Sequence, residues 1–134
     1  MTFEDLDQEF PNGFVDAEMT GIVVDFSNRS VTLRLNLRGN LPDSPGRDEY
    51  APATLVARDI FYISVEPPDR EHLLSAKRSH ITVDGFSEDS DSFPLFAHLR
   101  PGLSAGAFCC RFYVHDWNSF IHLAARSADF SWDK

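Results

Sequence analysis

The sequence is poor in cysteine, and it has no long hydrophobic run. Its two cysteines, Cys109 and Cys110, are adjacent, and neighbouring side chains on a strand point to opposite faces, so a disulfide between them would be strained. Because the chain offers no other cysteine, it is predicted to fold in a reducing compartment. No stretch approaches the roughly 20 apolar residues of a membrane span, and the acidic start lacks the apolar run of a signal peptide. We therefore expect a cytoplasmic protein.

Basic residues are also few: 12 Lys and Arg stand against 21 Asp and Glu, for a formal net charge of −9. Nucleic acids and anionic membranes are bound largely through Lys and Arg, so this balance argues against both as partners. A basic protein is the partner that the charge favours. Plain solubility explains the same charge equally well.

Motifs that would signal catalysis or a cofactor are missing from the sequence. It contains no HExxH, paired CxxC, glycine-rich phosphate loop, GxSxG elbow or dinucleotide-binding fingerprint. Asp16 and Glu18 could form a carboxylate pair, but two acids at this spacing near a strand start are more often solvated. His115 and His122 could bind zinc together with His98 or an aspartate, but their spacing matches no metal motif. We predict no catalytic residue, no cofactor, no metal site and no enzyme.

What the sequence does have is enough apolar material for a core. Hydrophobic residues make up 43% of 134 residues, including 12 phenylalanines. A chain of this length and composition is predicted to form a single domain, residues 1–134. Residues 1–12 are acidic, and we expect them to be flexible or to form one short helical turn.

The clearest structural signal is a hairpin over residues 21–37, GIVVDFSNRSVTLRLNL. Apolar and polar residues alternate on both sides of a Ser-Asn turn, which is typical of half-buried strands. An even-numbered loop that keeps all apolar side chains on one face predicts three cross-strand pairs and an outer ion pair between Asp25 and Arg34. The three pairs are Phe26–Val31, Val24–Leu33 and Ile22–Leu35.

The rest of the chain is predicted to be mostly strand as well. Proline and glycine predict a loop over residues 39–52, and residues 54–66 predict one long bent strand or two short ones. Asp69 could cap a short helix through Ala76, and shorter strands are expected at 81–86 and 93–99. The predicted fold is a mainly β, antiparallel sandwich or strongly curved sheet, with six to eight strands and one or two short helices.

A second hairpin over residues 107–126 indicates where a site could lie. The predicted register gives the buried pairs Val114–Ile121, Phe112–Leu123 and Cys110–Ala125. It also makes Tyr113 a neighbour of His122, and His115 a neighbour of Phe120, on the opposite face. Five candidate binding residues share that face: Arg111, Tyr113, His115, Phe120 and His122. Such a mixture is typical of binding surfaces, although a sheet face covered by a loop or helix would have a similar composition.

The segment Phe14-Val15-Asp16-Ala17-Glu18-Met19, with the hairpin that follows it, resembles the start of small uncharacterised bacterial β-rich proteins. Some of these are immunity proteins of polymorphic toxin systems. Residues 50–66, followed by Pro67-Pro68, are similar in outline. The pattern commonly has histidine where this chain has Val15, so any role of that histidine is absent here. The resemblance implies a small cytoplasmic domain that binds and neutralises a partner protein.

The leading hypothesis is therefore a non-enzymatic protein-binding module of the immunity type, with a basic protein as its partner. The alternative is a small-ligand-binding protein or enzyme whose site lies between the sheet and the long loop. It would use Arg111, Tyr113, His115 and His122. A structural subunit of a homo-oligomer is a third possibility.

Overall fold

The computed structural model describes residues 14–38, 49–72, 80–87 and 107–133. Six strands, all paired antiparallel, make up most of these residues, which confirms the predicted mainly β, antiparallel class. In chain order they are β1 (Ala17–Asp25), β2 (Ser30–Arg38), β3 (Tyr50–Val65), β4 (Ile81–Ser87), β5 (Phe108–Val114) and β6 (Ser119–Trp132).

The strands close into a barrel in the order β1-β2-β3-β6-β5-β4. Closure occurs where Ala17–Met19 of β1 pair with Ile81–Val83 of β4. Of the two predicted arrangements, a sandwich or a strongly curved sheet, the sandwich was wrong, because the sheet curves until it closes on itself. Alternation along a strand shows which face is buried but not which strands are neighbours, so closure leaves no mark on the pattern.

The longest strand, β3, is a single strand with a bend, which decides between the two predicted alternatives. Asp59 has a φ of 54°, and the pairing with β6 shifts register between Ile60 and Tyr62. A bulge of this kind bends a strand and increases its twist. Residues 53–58 pair with both β2 and β6, and after the bulge the strand continues along β6 alone.

The start of β3 corrects the predicted loop over residues 39–52. Tyr50–Pro52 pair with Asn36–Arg38 of β2, although Pro52 suggested a loop. Proline has no amide to donate to a ladder, but its carbonyl oxygen is available, and here it accepts the amide of Asp133 at 2.9 Å. Residues 39–48 of the predicted loop lie outside the described residues.

No helix occurs in the described part of the chain, and so no helix there could cross a membrane. The predicted helix from Asp69 to Ala76 begins only as a turn, in which the Asp69 carboxylate accepts the amides of Glu71 and His72 at 3.1 Å. Its remaining residues lie outside the described ranges. The predicted N-terminal turn at 1–12 and strand at 93–99 also lie outside them.

The first hairpin has the predicted strands but a register displaced by two residues. Val24 pairs with Val31 and Ile22 with Leu33, so Phe26 falls in the turn, where it is 86% exposed. The Asp25 carboxylate accepts the Ser27 hydroxyl at 2.8 Å and the Asn28 amide at 3.1 Å. These bonds lower the pKa of Asp25 and use the carboxylate that was expected to face Arg34. A bulge between Met19 and Gly21 then shifts the pairing by one more residue, so that Met19 pairs with Leu35.

The second hairpin shows the same displacement. Phe112 pairs with Ile121 and Cys110 with Leu123, because the turn occupies residues 115–118 and Val114 pairs with Ser119. A shift of two residues leaves each side chain on its predicted face. The apolar rows of β2, β5 and β6 accordingly lie in the barrel interior.

The core also contains a residue that precedes the first strand. Phe14 is fully buried and packs edge-on against Phe112, with ring centroids 6.1 Å apart. Its carbonyl oxygen accepts the amide of Gly85 on β4 at 3.1 Å. The segment before β1 is thereby fixed against β4, and this contact positions Asp16.

Candidate functional site

The five candidate residues do lie together on the outer side of the hairpin formed by β5 and β6, with His115 in the turn between the strands. Arg111 pairs with His122 and Tyr113 with Phe120. The neighbours therefore differ from the predicted ones, because the register is displaced by two residues. The name aromatic face is used here for these residues: Arg111, Tyr113, His115, Phe120 and His122.

The rings of the aromatic face form a continuous row. Tyr113 contacts His115 edge-on, with centroids 5.1 Å apart, and lies 5.3 Å from Phe120. Phe120 in turn lies 5.9 Å from His122. The Arg111 guanidinium sits 5.4 Å from the centroid of Phe120, a cation–π arrangement. Each side chain is thus held by its neighbour in the row.

Access to the aromatic face is uneven. His115 is exposed, Tyr113 and Phe120 are half-buried, and His122 is only 6% exposed. Glu66, just after β3, covers this end of the row: its carboxylate lies 3.0 Å from His122 Nε2 and accepts the amide of Phe120 at 3.2 Å. The face is therefore covered at His122, partly open at Tyr113 and Phe120, and exposed at His115.

A chain of hydrogen bonds through Asn118 to Asp69, in the segment after β3, fixes the side chain of Tyr113. Its hydroxyl donates to Asn118 Oδ1 at 2.8 Å, and the side-chain Nδ2 of Asn118 donates to Asp69 Oδ2 at 2.8 Å. The other oxygen of Asp69 contacts the ring of His72. The hydrogen bonds from Asn118 and His72 lower the pKa of the Asp69 carboxyl.

This lowered pKa gives a prediction about acid stability. The unfolded carboxyl binds its proton near pH 3.9, and folded Asp69 does so at lower pH, so ionised Asp69 stabilises the fold above that pH. The contribution disappears as pH falls through the folded pKa. We expect Asp69→Asn to reduce the drop in melting temperature between about pH 5 and pH 2, measured by circular dichroism. Asn118→Ala should have the same direction of effect, and an unchanged pH profile in both variants would contradict the assignment.

A second cluster lies at the other end of the row, where β1, β4 and β5 meet. His115 Nε2 lies 2.8 Å from Asp84 Oδ2 and 3.9 Å from Asp16 Oδ1. The amide of Asp16 donates to Asp84 Oδ1 at 2.7 Å. These three side chains are here called the Asp-Asp-His cluster, and their ligand atoms all lie within 4.8 Å of one another.

Sequence reasoning placed Asp16 in a different pair and did not single out Asp84. Glu18, the expected partner of Asp16, contacts His80 at 3.3 Å and Asn36 at 3.3 Å. Asp84 lies in a short strand with no motif around it, and only the pairing of β4 with β5 brings it opposite Tyr113 and next to His115. A pattern within one segment cannot reveal a cluster built from three segments.

Asp116 connects the β5–β6 turn to β4 by a hydrogen bond. Its Oδ2 atom accepts the amide of Thr82 at 2.7 Å, and the amide of His115 donates to the Thr82 carbonyl at 2.9 Å. The two bonds hold the turn that carries His115 against the strand that carries Asp84.

Removing the hydrogen bond between the Thr82 amide and Asp116 should therefore lower the stability of the fold. We expect Asp116→Ala to lower the free energy of unfolding by about 1–3 kcal/mol, because the Thr82 amide loses a charged acceptor in a half-buried position. Asp116→Asn keeps an acceptor oxygen and should lose less. Urea denaturation of the three proteins checks the order, and equal stability of Asp116→Ala and the parent chain would contradict it.

The two cysteines and a surface cleft are not part of the aromatic face. Cys110 is buried in the core and Cys109 is half-buried; both remain thiols. An apolar cleft of about 200 Å³ lies between the β1–β2 turn and the bend of β3, with Val24, Phe26 and Ile63 in its lining. No residue of the aromatic face lines this cleft.

Comparison of the chain with protein-family models, curated proteins and solved structures finds no match. The functional assignment therefore rests on the geometry of the aromatic face and of the carboxylates around it.

Proposed function

We propose that the protein is a non-enzymatic protein-binding module of the immunity-protein type, and that the aromatic face is its contact surface. The supporting observation is the row of Tyr113, His115 and Phe120, fixed in place and partly open to solvent. Protein interfaces concentrate binding energy in rigid aromatic side chains near their centre. The hydrogen bond from Tyr113 to Asn118 lowers the entropic cost of ordering that side chain on binding.

The partner is proposed to be a basic protein. Carboxylates flank the aromatic row on both sides, with Asp16 and Asp84 near His115 and with Glu66 and Asp69 on the loop side. Together with the formal net charge of −9, this arrangement would attract a positively charged surface and speed its encounter with the module. Binding of this kind weakens as salt rises.

A pull-down from lysate of the host organism tests the proposal. Tagged protein is incubated with lysate at low salt, washed and eluted with a salt gradient, and retained proteins are identified by mass spectrometry. We expect one basic protein in stoichiometric amount that elutes with salt. A preparation that retains no stoichiometric partner would overturn the proposal. Size-exclusion chromatography of the purified chain alone shows whether it self-associates, which distinguishes a homo-oligomer from a module that binds a different protein.

The second candidate function is a small-ligand-binding protein or an enzyme that uses the Arg111, Tyr113, His115 and His122 face. The contact between His115 Nε2 and Asp84 favours it, because a carboxylate that orients an imidazole is an arrangement used in general acid–base chemistry. Thermal-shift screening of small-molecule libraries distinguishes the two functions. A ligand whose stabilisation is lost in His115→Gln would support the second candidate in place of the first.

A further inference from the structure

The Asp-Asp-His cluster differs from the other histidine–carboxylate contacts in the described part of the chain. His72, His80 and His122 each contact one carboxylate, those of Asp69, Glu18 and Glu66. His115 has two carboxylates, those of Asp16 and Asp84, directed at the same ring nitrogen. Two carboxylates this close repel each other, and a bound cation relieves that repulsion.

We propose that Asp16, Asp84 and His115 bind one divalent transition-metal ion of the zinc class. This site goes beyond the proposed function, although it shares His115 with the aromatic face, and it departs from the prediction that the chain holds no metal site. The three ligand atoms come from the segment before β1, from β4 and from the turn after β5. The ion would therefore join three parts of the barrel next to its closure.

The distances in the cluster suit an ion of this size. Ligand atoms bound at 2.0–2.1 Å around a tetrahedral ion lie roughly 3.3 Å from one another. The distances from His115 Nε2, 2.8 Å to Asp84 Oδ2 and 3.9 Å to Asp16 Oδ1, lie on either side of this value. All three ligand atoms lie within 4.8 Å of one another, so binding an ion requires them to move closer together by about 1.5 Å at most.

Each carboxylate is already held by its other oxygen. Asp84 Oδ1 accepts the amide of Asp16, and Arg38 lies 3.6 Å from Asp16 Oδ2. The carbonyl of Asp16 accepts the hydroxyl of Tyr50 at 2.9 Å, which fixes the backbone of the segment. Metal sites commonly hold their ligating carboxylates by such outer contacts. Here the outer contacts leave one oxygen of each carboxylate facing His115.

The donor set indicates the class of metal. Imidazole with carboxylate suits zinc, cobalt or nickel, whereas calcium and magnesium prefer oxygen donors alone. Three protein ligands leave a fourth position for water in a tetrahedral site. Asp16 and His115 are exposed, so this position would be open to solvent next to Tyr113.

Titration with ZnCl₂ tests the site. The full chain, with its tag removed and after dialysis against a chelator, is titrated by calorimetry, and CoCl₂ is used in parallel for its visible absorption. We expect saturable binding of one ion per chain, and a low-coordinate Co²⁺ absorption band that ZnCl₂ abolishes by competition. His115→Gln and Asp84→Asn should each lower the affinity for Zn²⁺ at least about 10-fold.

The chain supplies its own matched control in His72→Gln, which removes an imidazole whose carboxylate contact among the described residues is Asp69. This variant should bind Zn²⁺ like the parent chain. If either cluster variant fails to fold by circular dichroism, the Co²⁺ spectrum of the parent chain and the other variant still decide the question. Absence of saturable binding by the parent chain would overturn the proposal. Equal affinity in His115→Gln and His72→Gln would also overturn it.

Discussion

Phe112→Ala is expected to lower the free energy of unfolding by about 3–5 kcal/mol, the range for truncating a buried phenylalanine. Phe112 is fully buried on β5, where it pairs with Gly85 on one side and Ile121 on the other. It also packs edge-on against Phe14. Truncation therefore leaves a cavity that borders three strands and the segment before β1, and rigid strands relax into such a cavity only in part.

Phe26→Ala provides the control for this core substitution. Phe26 lies in the β1–β2 turn and is 86% exposed, so its loss should change stability by no more than about 0.5 kcal/mol. Urea denaturation of the two variants and the parent chain measures both effects. A loss of similar size in both variants would contradict the position of the core, and would favour the predicted register, in which Phe26 pairs with Val31.

The second large effect is expected in partner binding by the double variant Tyr113→Ala, Phe120→Ala. Both side chains lie in the partly open part of the aromatic face, and their ring centroids are 5.3 Å apart. Removing two central aromatic anchors should weaken the complex by about 2–4 kcal/mol, which is roughly 30-fold or more. The affinity is measured by calorimetry with the protein retained from lysate.

The controls for this double variant separate binding from folding. Phe26→Ala removes an exposed aromatic ring outside the aromatic face and should bind like the parent chain. Circular dichroism should show that the double variant is folded, since neither Tyr113 nor Phe120 belongs to the buried core. An affinity equal to that of the parent chain in a folded double variant would show that the contact lies elsewhere.

The facing of the strands could be predicted from the sequence because it depends only on neighbours in the chain. Phe108, Cys110 and Phe112 alternate with Cys109 and Arg111, and all five lie on their predicted faces. The register could not be predicted, since a shift of two residues keeps every apolar side chain on the same face. What fixes it in the first hairpin is the turn, where Asp25 accepts bonds from Ser27 and Asn28.

Closure of the barrel and the Asp-Asp-His cluster depend on contacts between distant segments. Ala17 meets Val83 across the closure, and nothing in either segment specifies the other. Asp84 reaches His115 only because β4 lies between β1 and β5. The aromatic face was predictable because its five residues belong to one hairpin, whose two strands are neighbours in almost any register.

Hydrogen–deuterium exchange of the complex tests the proposed contact surface most directly. The module is labelled alone and together with the protein retained from lysate, and peptides are compared by mass spectrometry. The proposal predicts that protection on binding is greatest in peptides that span residues 111–122 and the adjoining segment 66–69. Protection confined to the β1–β2 hairpin around Phe26, with residues 111–122 unchanged, would contradict it.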